Sequence, residues 1–200
     1  MILKLGKKKS LTARDISLYK RTLTNLLDKF VTKEDRRILR SLSDLYGSIY
    51  RDITDLYNVP SKTPRTKIAK EIVFPWSGMT YSDRIRGNAD KVYKKLVDVP
   101  LKKMRMKDVG LDEVLESINT IMDKFENQHK LLQNVEQEHA VNMASQLAFK
   151  KCGIRTVVWY TRLDERVCEI CGNLHGQEFE VGNVPRIPAH PHCRCRLVTK

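Results

Sequence analysis

Cys168-Glu-Ile-Cys171 and, after eighteen intervening residues, His190-Pro-His-Cys193-Arg-Cys195 are the side chains whose types and spacing can do chemistry. Zinc takes four nitrogen or sulfur ligands in a tetrahedron, and a pair two residues apart supplies two corners from one tight turn. Two such pairs at this separation have the spacing of a zinc knuckle or ribbon. Six side chains compete for four places: Cys168, Cys171, His190, His192, Cys193 and Cys195. The gap of the first pair recurs between His190 and Cys193, so Cys168, Cys171, His190 and Cys193 form the preferred set. His192 and Cys195 remain as supporting or alternate ligands. A disulfide framework ranks lower, because five cysteines are an odd number and no export signal is recognisable. Cys152 stands apart and reads as an ordinary buried thiol at a helix end.

A catalytic zinc keeps one position open for water beside a general base. Here thiolates dominate and the ligand supply is full, which favours a closed, structural site. Asp164, Glu165 and Glu169 lie near in sequence and read as solvated turn carboxylates beside Arg162 and Arg166.

The ligands need elements to carry them. Thr156 to Thr161 (TVVWYT) is β-branched and aromatic, the strongest strand signal in the chain, with weaker ones over Gln177 to Val181 and Arg194 to Thr199. The rest reads as helix. Leu11 to Phe30 carries Ile16, Tyr19, Leu23, Leu26, Leu27 and Phe30 at three-and-four spacing behind a capping pair, Thr12 and Asp15. Thr32 and Asp35 repeat that pair and predict a second helix through Leu56, ending at Asn58-Val-Pro60 and antiparallel to the first.

Pro60 to Pro64 reads as a linker. A helix follows from about Ser82 to Leu96, with Pro100 closing it. Leu101 to Lys107 (LKKMRMK) then forms a basic exposed segment, whose Lys102, Lys103, Arg105 and Lys107 are candidates for phosphate contact. A helix from Gly110 through Phe125 and another from about Gln128 to Lys151 complete the pattern, with Gly153 as stop signal. The expected fold is α+β and mainly α-helical: long antiparallel N-terminal helices, a helical region, and a small zinc-stapled antiparallel β unit at the C-terminus. The expected organisation is an N-terminal helical region over 1–60, a linker over 61–71, and a domain over 72–200 whose knuckle occupies 154–200.

Hydrophobic content of 41% and charged content of 30% belong to an ordinary globular chain. The formal net charge of +13 does not, and it points to a polyanionic partner, most commonly nucleic acid. No stretch approaches the roughly 20 apolar residues of a membrane span.

The stretch from Trp159 through Asp164-Glu-Arg166-Val-Cys168-Glu-Ile-Cys171, Leu174-His-Gly176 and Phe179, with Pro188-Ala-His-Pro-His-Cys-Arg-Cys195, resembles the signature of the tailed-phage minor head protein family. This is the phage head morphogenesis, or Mu-type F-like, family. Pro75 to Ile85 and the helix around Val135 to Asn142 are similar to stretches in members from phages of Gram-positive hosts, so the resemblance covers about 72–200. One departure is Asn134-Val-Glu136, where members often carry an Arg-Thr-Glu element. The resemblance implies a non-enzymatic minor capsid component near the portal, acting in procapsid assembly and in DNA packaging or delivery. Its implied partners are portal, capsid or scaffold proteins and genomic double-stranded DNA, with no membrane and no small-molecule substrate. Its implied location is the virion, in the capsid interior or at the portal vertex, after assembly in the host cytoplasm. It maps the metal site onto Cys168, Cys171, His190 and Cys193, and makes Asp164 and Arg166 motif positions expected to bond and place the first zinc turn. The competing expectation is a zinc-supported nuclease or toxin of His-Asn-His type, in which His175 would be the spare catalytic histidine. A plain DNA-binding regulator ranks below both.

Overall fold

The computed structural model describes residues 11–60, 78–106 and 108–200. Its elements in chain order are helix α1 (Ala13–Leu56), helix α2 (Tyr81–Lys103), helix α3 (Leu111–Lys151), strand β1 (Thr156–Tyr160), short helix α4 (Glu169–Leu174), strand β2 (Glu178–Glu180) and strand β3 (Arg196–Val198). The fold is mainly helical with one small antiparallel sheet, as the periodicity predicts. The linker expected over 61–71, the first residues of the Pro75 to Ile85 stretch, and Lys107 lie outside the described residues.

The expected N-terminal helix pair is corrected to a single 44-residue helix. Thr12 does cap it, since the Asp15 backbone N–H donates to Thr12 Oγ1 at 3.2 Å and Asp15 accepts in return. The second capping signal, Thr32 with Asp35, is internal. No glycine or proline interrupts 31–37, and the buried stripe runs in phase across the supposed break through Leu27, Val31, Ile38 and Leu42. An N-cap pair begins a new helix only where the chain has left helical geometry, and here both the helix and its apolar stripe continue. The same correction merges the two expected C-terminal helices into α3.

Pro100 lies inside α2 and does not close it. A proline cannot donate to the carbonyl four residues back, here that of Leu96. The buried Tyr19 hydroxyl donates to the Leu96 carbonyl instead. Burial, with Tyr93 nearby, pushes the Tyr19 phenol up to about 12, so it stays a donor. Leu101 consequently continues the buried face of α2, and Lys102 and Lys103 form its last turn. The N-terminus of α2 has a complete capping box between Thr80 and Asp83.

The chain divides into two compact units. The first comprises Met1–Arg36 and Met79–Lys130. Its core sets Tyr19 against Val97 and Leu101, and Val92, Leu96 and Phe125 against Phe30. Phe30 meets Phe125 edge-on at 5.4 Å, and His129 pairs with Glu34 at 3.4 Å.

The second unit comprises Arg37–Gly78 and Leu131–Lys200. Tyr46 and Ala144 pack together where α1 and α3 run through it. A Schellman motif ends α3: Gly153 has φ +77, its N–H reaches the Lys150 carbonyl, and the Ile154 N–H reaches that of Phe149. This turns the chain into β1, the central strand of a sheet ordered β2-β1-β3, with both pairings antiparallel. Val157 opposes Phe179, and Trp159 opposes Leu197. One face of β1 thereby sends Val157 and Trp159, both fully buried, into a core shared with Phe149, Ile187, Leu197 and three cysteines.

Candidate metal centre

The polypeptide reaches the first sulfur pair through a short loop after β1. Cys168 has extended backbone geometry (φ −87, ψ 161) and caps α4, its sulfur accepting the Cys171 N–H at 3.4 Å. That N–H holds the Cys168 thiol below its usual pKa, which favours the thiolate a metal needs. Cys171 is buried one turn on, and burial pushes its thiol up, as it does that of Cys195. Buried neighbouring thiols cannot ionise together unless a cation compensates them.

The second half arrives on the loop before β3. His190, Pro191, His192 and Cys193 form a tight turn, with the Cys193 N–H donating to the His190 carbonyl at 3.2 Å. Proline at the second position and φ +61 at His192 follow the type II pattern. His190 Nδ1 lies 2.7 Å from the Pro191 carbonyl, which can only accept, so Nδ1 carries the proton. The bare Nε2 faces Cys168 Sγ and Cys171 Sγ, each at 3.1 Å.

Two overlapping groups result, Cys168 with Cys171 and His190, and Cys171 with Cys193 and Cys195. Within each, the ligand atoms lie within 4.8 Å of one another, close enough to hold a metal ion. Cys171 Sγ and Cys193 Sγ are 3.9 Å apart, near the roughly 3.8 Å edge of a zinc–thiolate tetrahedron. The donor set fits zinc: soft thiolates and one imidazole with its tautomer already set, with Cys171, Cys193 and Cys195 buried and Cys168 and His190 half-buried. His192 lies outside both groups with an exposed side chain, whereas Cys195 is inside the second.

Asp164 and Arg166 do bond, but through the Arg166 backbone N–H, which donates to Asp164 Oδ1 at 3.0 Å. The guanidinium that hydrogen-bonds Asp164 belongs to Arg194, in a two-pronged pair at 2.8 and 2.6 Å, with Arg162 Nε farther off at 3.9 Å. This Arg194 contact, foremost among its causes, holds the Asp164 carboxyl down at about 2. Asp164 precedes the first half-site and Arg194 sits between Cys193 and Cys195, so the pair ties the two ligand loops together.

Thr161 is the residue that sequence reasoning misses. Its hydroxyl accepts from Trp159 Nε1 at 3.1 Å, donates to the Cys171 carbonyl at 2.9 Å and touches Cys195 Sγ at 3.2 Å. Its backbone N–H donates to His175 Nδ1 at 3.0 Å. A threonine ending a strand has no spacing signature that would reveal this. His175 is therefore held as an acceptor beside the Tyr160 ring and lies outside both metal groups. From α3, Asn142 Nδ2 donates to the Cys195 carbonyl at 3.4 Å, and Glu138 pairs with Arg196. Cys152 is half-buried at the end of α3, apart from these groups.

Of the phosphate-contact candidates, Lys102 and Arg105 are exposed, and Lys103 donates through Nζ to the Glu113 carbonyl at 3.2 Å. No helix among the described residues is long and apolar enough to cross a membrane.

A family model described as phage Mu protein F-like protein matches residues 90–198, more than half of the chain and the whole of the metal centre. No curated protein and no solved structure matches the chain significantly.

Proposed function

The chain belongs to the phage Mu protein F-like family, a family of phage head morphogenesis, and from that premise we propose that it is a minor capsid component acting near the portal vertex. In this reading a structural zinc ion is held by Cys168, Cys171, His190 and Cys193. The observation that carries the zinc assignment is the approach of His190 Nε2 to two sulfurs while Nδ1 is already committed to a carbonyl. Zinc supplies fixed tetrahedral geometry and charge compensation for thiolates, and so holds together a three-stranded unit too small to be stable alone. The chain's own residues position the loops: Cys168 through its cap, Thr161 through the Cys171 carbonyl, and Asp164 through Arg194.

The role is assembly and not catalysis. The apolar-striped helices serve protein partners, portal or scaffold, and the excess positive charge serves double-stranded DNA during packaging or delivery. The nuclease alternative needs a free catalytic histidine, and His175 is engaged by Thr161. Metal analysis of the purified protein, with single-vertex labelling of procapsids and a gene deletion scored for procapsid yield, tests the reading. Absence of stoichiometric zinc refutes the centre. Protein spread evenly over the shell, or normal assembly without it, refutes the portal-vertex role. Plasmid cleavage abolished by His175→Ala restores the enzyme.

A further inference from the structure

Helix α2 carries seven Lys and Arg residues against three Asp. At 100° per residue, Arg84, Lys91, Lys95 and Lys102 fall within about 20° of one line along the helix, spread over about 27 Å. Lys91, Lys95 and Lys102 are exposed, and Lys94 flanks them on the same side. None of these four lysines has a carboxylate within 4 Å among the described residues. Asp98 is the single acid on that arc. Other helical surface in the same unit is different: α3 from Leu111 to Lys130 carries five acids against two lysines, and Lys130 is paired to Glu126 at 2.7 Å. Gly87 lies on the arc of the stripe, and a β-carbon placed there meets nothing within 4 Å, so the backbone is open to close approach.

We infer that this face of α2 is a docking stripe for the phosphate backbone of duplex DNA. The spacing of its cations is uneven, about 10, 6 and 10 Å along the axis. A matched set of carboxylates on a folded partner would have to copy that spacing. DNA presents a charge about every 1.7 Å of axis and meets any spacing. The stripe also gives Lys102 a different setting from the exposed loop expected of it, because the Tyr19–Leu96 bond lets α2 continue past Pro100 and brings Lys102 into line. The inference rests on the DNA-contact reading above and names its site.

The test is fluorescence anisotropy of the full-length protein with a 30-base-pair duplex across a salt series. Three forms are compared: wild type, Lys91→Gln with Lys95→Gln, and a charge-matched control with Lys150→Gln and Lys151→Gln. The stripe variant is expected to lower the slope of log K against log salt by about 0.9 per lysine, with the control near wild type. Equal losses in both variants reduce the effect to net charge and overturn the stripe, as does wild-type binding by the stripe variant. Polyaspartate competing as well as duplex DNA at equal charge also overturns it, in favour of an acidic protein partner. No wild-type binding to DNA removes the broader DNA reading with it.

Discussion

Asp164 and Arg194 face each other across the metal centre, joined by two hydrogen bonds of 2.8 and 2.6 Å although thirty positions separate them. Each belongs to a different ligand loop, so the pair holds the two halves of the site in register. It does so by directional bonds at a partly exposed position, where bare Coulomb attraction is worth little.

A depressed carboxyl gives pH-dependent stability of known sign. The unfolded value is about 3.9 and the folded one about 2, so the contribution is complete above the unfolded value and is lost as pH falls through the folded one. Acid titration of thermal stability should therefore show a component between about pH 4 and pH 2 that Asp164→Asn removes. An unchanged acid limb in that variant would falsify the clasp.

If zinc fills the centre as proposed, its removal should unfold the C-terminal sheet selectively. Zinc sites of this donor type contribute on the order of 10 kcal/mol at neutral pH. Cys168→Ser or Cys193→Ser, or a strong chelator, should abolish the sheet and expose Trp159 while helical circular dichroism from α1 and α2 largely persists. A variant that melts like wild type contradicts the centre.

The Tyr19 bond to the Leu96 carbonyl compensates for the hydrogen bond Pro100 cannot make. Tyr19→Phe should cost about 1–3 kcal/mol in urea denaturation, the range for a buried polar group left unpaired. In a Pro100→Ala background the backbone N–H restored at position 100 reaches the same carbonyl, and the cost of Tyr19→Phe should shrink. Additive effects in this double-mutant cycle would show that the two residues do not compensate each other.

Thr161→Val keeps the shape of the side chain and deletes its hydrogen bonds. The Trp159 N–H and the Cys171 carbonyl both lose their partner, so a loss of roughly 1–3 kcal/mol per orphaned group is expected, with Thr161→Ser retaining most of the stability. Denaturation followed by tryptophan fluorescence distinguishes the two substitutions. Loss in Thr161→Ser with none in Thr161→Val would assign the role to the methyl group instead.

The parts of the molecule legible in the sequence are those encoded locally. Cys168 and Cys171 announce themselves by spacing, β1 by its β-branched run, and the end of α3 by Gly153. The unreadable parts depend on partners distant in the chain. Thr32 and Asp35 have the residue types of a cap, and only the continuous burial of Val31 and Ile38 shows that no helix begins there. Pro100 stops a helix unless a hydroxyl from elsewhere replaces the missing donor, and nothing around Tyr19 advertises that service. Arg166 is the obvious neighbour of Asp164 in sequence, but backbone geometry brings Arg194 to it instead.

Cys168 answers two demands with one sulfur, receiving the Cys171 N–H as a helix cap while facing His190 Nε2 as a ligand. Serine or asparagine could serve the cap but supply no anionic ligand, and aspartate, which could do both, offers a hard oxygen in place of a soft thiolate. Histidine could serve the metal but not the cap. Position 168 thus has a narrower range of acceptable replacements than Cys193, whose sulfur caps no helix, and a library screened for metal retention should find it the least permissive of the ligand positions.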